Sequence, residues 1–229
     1  MESVIPSDRV DVLVFGSSGL DLRGMRNQLG ERVDGYIRGI HVTGKTVGLG
    51  MPAAGPSAAK RVFQLDPKAV IQLGTCGAYP GTDLALGSVV VAQNLHLLDP
   101  AVLTSRGAFP DPMHTTLPAS ELLSTGLAQS GDRVRRVAVG CPLTNTTDDR
   151  LAEGARQKYR LDVENLEAFA IAHACSLASV PFACVHGVSH RAGSESRTEW
   201  QRHERTASLA AADVVISWLQ NGAQGMPHG

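Results

Sequence analysis

Two carboxylates and an amide, Glu164, Asn165 and Glu167, stand at the mouth of a segment that is otherwise almost free of charge, Val163 to Cys175 (VENLEAFAIAHAC). From Leu166 to Ser179 only Glu167, His173 and two serines interrupt Ala, Leu, Ile, Phe and Cys, so little of a helix formed here can face water. An ionised group buried without partners is costly. Glu167 therefore needs donors, which could be backbone amides, a cation, or hydroxyls carried by a substrate. The same residues also suit a purely structural role. Asn165 is a good N-cap, and a carboxylate in the first helical turn gains roughly 0.3 to 1 kcal/mol from the helix dipole. On this segment alone both readings stand.

The elements that would have to position these groups follow from the rest of the chain. Short apolar runs alternate with helical patterns, without repeats, low-complexity stretches or long linkers. Strands are expected at VDVLVF (10–15), GYIRGIHV (35–42), KTVGLGM (45–51), AVIQLG (69–74), SVVVAQ (88–93), VRRVAVG (134–140) and FACVHGVS (182–189). Continuous Val, Ile and Leu runs of this kind suit strands buried on both faces. Helices are expected over 57–65, 121–129, 149–159, from 166 onward, and 198–220, the last with apolar positions spaced by three and four. The pattern predicts one α/β domain over residues 1–229, with a central mixed, largely parallel twisted sheet flanked by helices and a disordered tail from 222 to 229.

Composition narrows the function. The chain has 229 residues, 43% hydrophobic and 19% charged, with a formal net charge of -1, as expected of one domain with a substantial core. The basic clusters at 132–136 and 191–205 are local, so nucleic acid is not expected as a partner. The polar N-terminus lacks a secretory apolar region, and no apolar run approaches the roughly 20 residues that span a bilayer, so no membrane is expected and a cytoplasmic location is. Cys76, Cys141, Cys175 and Cys184 form no CxxC pair and are expected to be reduced and buried. The Gly-rich loops FGSSG (15–19) and GLGMPAAG (48–55) have neither dinucleotide nor P-loop spacing and read as tight turns, so no cofactor is expected. His186 and His190, four apart on a strand, could share a face, but with only Glu195 nearby as a third ligand no metal is expected.

Four motifs together carry a resemblance. LEAFAIAHAC resembles the signature of the nucleoside phosphorylase and nucleosidase superfamily, in which a Met-Glu pair opens an apolar helix and the Glu grips the ribose hydroxyls; Leu166 and Glu167 stand at that pair. GTCGAYPG (74–81) resembles the superfamily's Gly-rich strand end, with Thr75 and Gly77 facing sugar or nucleophile. Asp21 lies five residues after Gly16, where the nucleosidases carry a catalytic Glu. VSHRAGSESRTEW (188–200) stands where an Ile-Ser-Asp or Ile-Ser-Asn reads the purine, with His190 at the reading position. The four motifs span residues 12–200, and their details look most like the futalosine hydrolase subfamily, with the methylthioadenosine/adenosylhomocysteine nucleosidases as the other near resemblance.

The resemblance implies cleavage of the N-glycosidic bond of a purine-type nucleoside. Asp21 would activate water, His190 would donate to the base at N7 with an ordinary pKa near 6.5, and Glu167 would hold the 2′ and 3′ hydroxyls. Asn165, Leu166, Phe169 and Trp200 would complete the substrate pocket, and the superfamily's habit implies a homodimer. Phosphorylases of this superfamily place an Arg where this chain has Gln72, which favours water over phosphate as nucleophile. Arg23 or Arg38 could supply the missing charge, so a phosphorylase stays open, as does a non-catalytic nucleoside-binding relative. The loop 99–118 is expected to act as a lid or to reach a neighbouring subunit.

Overall fold

A computed structural model describes residues 10–227. In chain order the elements are β1 (Val12–Gly16), α1 (Arg23–Leu29), β2 (Asp34–Ile37), β3 (Ile40–Thr46), α2 (Met51–Leu65), β4 (Ala69–Ala78), β5 (Val89–Leu97), α3 (Pro100–Leu103), β6 (Thr116–Pro118), α4 (Glu121–Ala128), β7 (Arg135–Cys141), α5 (Asp149–Tyr159), β8 (Val163–Glu164), α6 (Ala168–Leu177), β9 (Phe182–Arg191) and α7 (Ser196–Gln220). The strands form one nine-stranded sheet in the order β2-β3-β1-β4-β8-β7-β5-β6, with β9 paired to both β4 and β5. The α/β architecture is as expected. The sheet is mixed, with antiparallel ladders at β2–β3, β4–β8, β5–β6 and β5–β9 beside parallel ones at β1–β3, β1–β4, β4–β9, β5–β7 and β7–β8. The pairs β4–β9–β5–β7–β8–β4 close a circuit, so this part of the sheet curls back on itself.

Two cores pack on the two faces. One gathers Leu13, Phe15, Val70 and Val188 with Ala54, Ala58, Phe169 and Ile171 from α2 and α6. The other gathers Val12, Val14, Ile71 and Val185 with Met25, Leu123, Leu127, Val215 and Trp218 from α1, α4 and α7. The helix α7 lies very close to β9. A Cβ on Gly187 would stand 2.0 Å from the Ala207 carbonyl oxygen, so only glycine fits there. All four cysteines are free and buried. Among the described residues, no helix is long and apolar enough to cross a membrane, and no group of three His, Cys, Asp or Glu side chains could hold a metal ion.

Several sequence expectations need correction. The run 35–42 is not one strand: Arg38 and Gly39, both with positive φ (53° and 81°), turn the chain between antiparallel β2 and β3. The strand expected over 45–51 ends at Thr46, and Gly48 (φ 93°) and Gly50 (φ 77°) lead into a helix that starts at Met51 rather than 57. Apolar composition alone could not separate these states, because Pro52 at the helix start favours the helix while Val47 and Leu49 mimic a strand. The tail is not disordered from 222. Ala223 is 2% exposed, its N–H donates to the Trp218 carbonyl, and Trp218 Nε1 donates to the Gln224 carbonyl at 2.9 Å. Residues 228 and 229 lie outside the described residues.

Candidate active site

The carboxylate that opened the sequence argument is buried at the junction of β8, α6 and the start of α2. Glu167 is 4% exposed, and its Oε1 accepts the Gly50 N–H at 2.8 Å. Burial pushes its pKa from 4.5 up to about 7; the Gly50 N–H and the Asn165 side chain pull the other way, and the charge of Asp21 pushes further up. Glu167 does not cap its own helix. That work falls to Asn165, whose Oδ1 accepts from the backbone N–H of Glu167 (3.0 Å) and of Ala168 (2.9 Å). The same oxygen accepts from Gln72 Nε2 at 3.1 Å, and Asn165 Nδ2 donates to the Thr75 carbonyl at 3.1 Å. Asn165, expected among the substrate-binding groups, ties α6 to β4. The reason is local: a buried helix start needs its N–H groups satisfied, and Asn165 is the side chain placed to do it.

Asp21 reaches the same region from the loop after β1. It is 8% exposed; its Oδ2 accepts from Ser17 Oγ at 2.6 Å and the Ser18 N–H at 3.0 Å. These bonds hold the carboxyl in one orientation. Burial raises its pKa, the serine bonds oppose that rise, and Glu204 adds to it. Its Oδ1 lies over Gly74 of β4, 3.5 Å from where a Cβ would stand. The charge of Asp21 raises the Glu167 pKa further, so the two buried carboxyls lie close enough to be electrostatically coupled, an arrangement that recurs in acid–base sites.

His190 lies further along. Gly77 of β4 pairs with His190 of β9 just where the ladder slips by one residue. The imidazole fills the place of the missing side chain: a Cβ on Gly77 would come within 2.5 Å of His190 Nε2. Gly77, expected to admit a ligand, admits the histidine ring. His190 Nδ1 lies 2.9 Å from Ser189 Oγ, and Ser189 Oγ also reaches the Cys76 carbonyl at 3.3 Å. Burial lowers the His190 pKa to about 4, with a small upward pull from Glu199. The ordinary pKa expected from sequence is therefore not what this site provides, and His190 is neutral at pH 7.

The remaining expected residues scatter. Thr75 is half-buried between the two glycines of β4, Leu166 is half-buried beside Asn165, Phe169 is in the core beneath α6, and Trp200 is 38% exposed on α7. Neither arginine offered as a phosphate partner is available. Arg23 NH1 holds both carboxylate oxygens of Glu204 at 3.1 and 3.3 Å, and Arg38 NH1 donates to the Gln220 carbonyl at 2.8 Å. Glu164 turns away from Glu167 and accepts from Thr146 N (3.1 Å) and Oγ1 (2.6 Å), fastening the loop after β7. Sequence reasoning assigned no role to His186, Ser17 or Thr146. The only signal was position, and it reached two of them: Ser17 directly follows β1 and Thr146 lies in the loop after β7, where functional groups of α/β sheets collect, whereas His186 lies in the middle of β9.

The phosphorylase superfamily model matches residues 16–220. The 5′-methylthioadenosine/S-adenosylhomocysteine nucleosidase of Geobacillus sp. is 25% identical over 224 residues, covering 90% of this chain and 96% of the relative. The nucleosidase of the same name from Chromohalobacter salexigens is 27% identical over 213 residues, covering 89% and 90%. The solved nucleosidase of Neisseria meningitidis in complex with methylthio-immucillin-A has a TM-score of 0.83 at 18% identity, covering 93% of this chain and 99% of its own. A futalosine hydrolase mutant of Helicobacter pylori has a TM-score of 0.82 at 12% identity, covering 92% and 99%. The superfamily match runs from the end of β1 to the end of α7 and takes in Asp21, the β4 glycines, Glu167 and His190: the chain belongs to the phosphorylase superfamily.

Proposed function

We propose that this protein hydrolyses the N-glycosidic bond of a purine-type nucleoside, releasing free base and sugar. The observation that carries this reading is the electrostatically coupled pair of buried carboxyls, Asp21 and Glu167, with both candidate phosphate-binding arginines engaged elsewhere. A dianionic phosphate brought beside two carboxylates with no cation would be repelled, whereas water is not. The names of the relatives, nucleosidases at 25% and 27% identity over most of both chains, support the same choice.

The geometry supports a role for each residue in this reading. Beyond the Gly50 N–H and the neighbouring Asn165 side chain Glu167 is shut off from water, so the two hydroxyls of a ribose supply the further hydrogen bonds that an ionised, buried carboxylate requires. These bonds fix the sugar and strengthen as positive charge develops on the ring. Asp21, anchored through Oδ2, presents Oδ1 to the attacking water, and its raised pKa makes it a better base than an exposed aspartate. His190 holds the edge of the base as a neutral imidazole. With a pKa of about 4 it is protonated in roughly one molecule in a thousand at pH 7, too few to serve as the standing general acid.

Purified protein in phosphate-free buffer is expected to release base from a nucleoside panel, and Glu167→Gln to abolish release. Base release that requires phosphate and yields ribose 1-phosphate would replace this reading with a phosphorylase. Tight binding without turnover across the panel would replace it with a binding protein. The protein works as a homodimer in this reading. Support comes from the outer face of α2, where Pro52, Ala53, Pro56, Ala59 and Phe63 are exposed, Phe63 at 87%, as an apolar stripe at helical spacing. Sedimentation equilibrium of the wild type and Phe63→Glu tests it, the variant being expected to sediment as a monomer. A cytoplasmic location suits the four free, buried cysteines.

A further inference from the structure

We propose that His186 and Gln72 are positioning residues that, with Asp21 and the space left by Gly74, form a small cation-free cell holding the attacking water and excluding larger or anionic nucleophiles. This inference rests on the hydrolase reading above and says how water is selected.

The cell is built across the β4–β9 ladder. Gly74 pairs with His186, and Gln72, two residues back on β4, falls on the same face. Two polar atoms here have no hydrogen-bond partner among the described residues, Gln72 Oε1 and His186 Nε2, and each residue is 1% exposed. A buried polar atom left unpaired bears its full desolvation penalty, and two of them on neighbouring strands beside the Asp21 carboxyl point to a shared occupant. The orientation of Gln72 is fixed by its neighbour. Asn165 Oδ1 accepts two backbone N–H groups, so it is an oxygen, and Gln72 must turn its NH2 toward it and its Oε1 away.

The size and chemistry of the occupant follow. A Cβ added to Gly74 would lie 3.5 Å from Asp21 Oδ1 and 4.0 Å from His186 Cδ2, ordinary contact distances, so a methyl group fits there without displacing either side chain. Asp21 Oδ1 and Gln72 Oε1 are acceptors, and water brings two hydrogens without charge; phosphate brings a negative charge that the Asp21 carboxylate repels. Burial holds the His186 pKa at about 3, so no imidazolium is present to attract an anion. In the reaction the water oxygen bonds the anomeric carbon and the C–N electron pair leaves with the base. The water proton passes to Asp21, and the base takes a proton from solvent.

The test uses Gly74→Ala, His186→Leu and His186→Gln, with steady-state kinetics, thermal melting, and product analysis in 10% methanol. Gly74→Ala adds a methyl that the fold accommodates but that occupies the cell. It is expected to keep the wild-type melting temperature and a KM within about threefold while kcat falls at least a hundredfold. His186→Leu is expected to lose about tenfold to a hundredfold in kcat. His186→Gln, which returns a polar atom near the Nε2 position, should recover to within about fivefold of wild type. Methyl riboside should be absent from the wild-type products. Full kcat in both Gly74→Ala and His186→Leu, or no advantage of Gln over Leu, would overturn the water cell and leave the hydrolase reading intact. Phosphate-dependent release by the wild type would instead overturn the hydrolase reading.

Discussion

Glu167→Gln should make the empty protein more stable while removing its activity, and the size of the gain can be worked from the site. The folded carboxyl has its pKa raised from 4.5 to about 7, chiefly by burial. A raised carboxyl pKa means that folding disfavours the ionised form. The cost is absent below the unfolded pKa, grows as pH rises from about 4.5 to 7, and is complete above that. At about 1.36 kcal/mol per unit it reaches about 3 kcal/mol. Glutamine keeps the oxygen that accepts the Gly50 N–H and drops the charge. Allowing about 1 kcal/mol for an imperfectly paired amide leaves a gain of about 2 kcal/mol, or about 4 to 8 °C in melting temperature for a chain of this length. Melting curves of wild type and variant from pH 4.5 to 8.5 should therefore diverge, nearly coinciding at the acid end and separating fully above pH 7. Activity should fall by about 10² to 10⁴, the worth of two hydroxyl bonds to a charged partner. A variant that is less stable at pH 8, or a gap that does not change with pH, would refute the assignment of Glu167 as a solvation-starved carboxylate awaiting ligand hydroxyls.

Three further outcomes follow from the same geometry. Gly77→Ala would place a Cβ 2.5 Å from His190 Nε2, so the ring must move; overpacking of this kind costs about 1 to 3 kcal/mol, and kcat/KM is expected to fall at least tenfold against the best nucleoside substrate. Asn165→Ala should cost about 2 to 4 kcal/mol in urea denaturation, because it uncaps α6 and strands Gln72 Nε2 and the Thr75 carbonyl together. The acid limb of kcat/KM should lie near pH 7, set by ionisation of Glu167, and His190→Asn should lower the rate without moving that limb; a limb that disappears in the variant would restore His190 as the acid.

What the sequence made legible was whatever depends on one residue and its immediate neighbours. The alternation of apolar runs with helical patterns located β1, β4, β5, β7 and β9 and the long α7, because strand and helix periods are local properties. A helix start just after Asn165 was legible for the same reason, although α6 begins at Ala168 rather than 166. The division of labour there was not: Asn165 caps and Glu167 is left free, and nothing in VENLE says which oxygen reaches which N–H until β4 brings Gln72 and Thr75 alongside. The His190 pKa was misjudged because desolvation is set by packing against Gly77, a contact made across strands more than a hundred residues apart in sequence. Glu164, equal to Glu167 on paper, became a loop fastener because the Thr146 loop arrives on its side of the sheet.

The two histidines of β9 show how a register decides chemistry. Four residues apart on an isolated strand, they read as a pair on one face, and two imidazoles on one face suggest a metal. The ladder with β4 removes that option. His186 stands opposite Gly74 and His190 opposite Gly77, a spacing of four matched to a spacing of three because the register slips by one residue beside the buried Ser189. Each imidazole is thereby given its own glycine and its own space, His186 beside Asp21 on the nucleophile side and His190 beyond it, on the base side in the proposed mechanism. A side chain on either glycine would intrude on the space its partner needs. Burial keeps both rings neutral, so charge in the proposed site is carried by the carboxyls alone. That is the electrostatic setting suited to drawing positive charge onto a sugar, with two anions to stabilise it and no cation to oppose it.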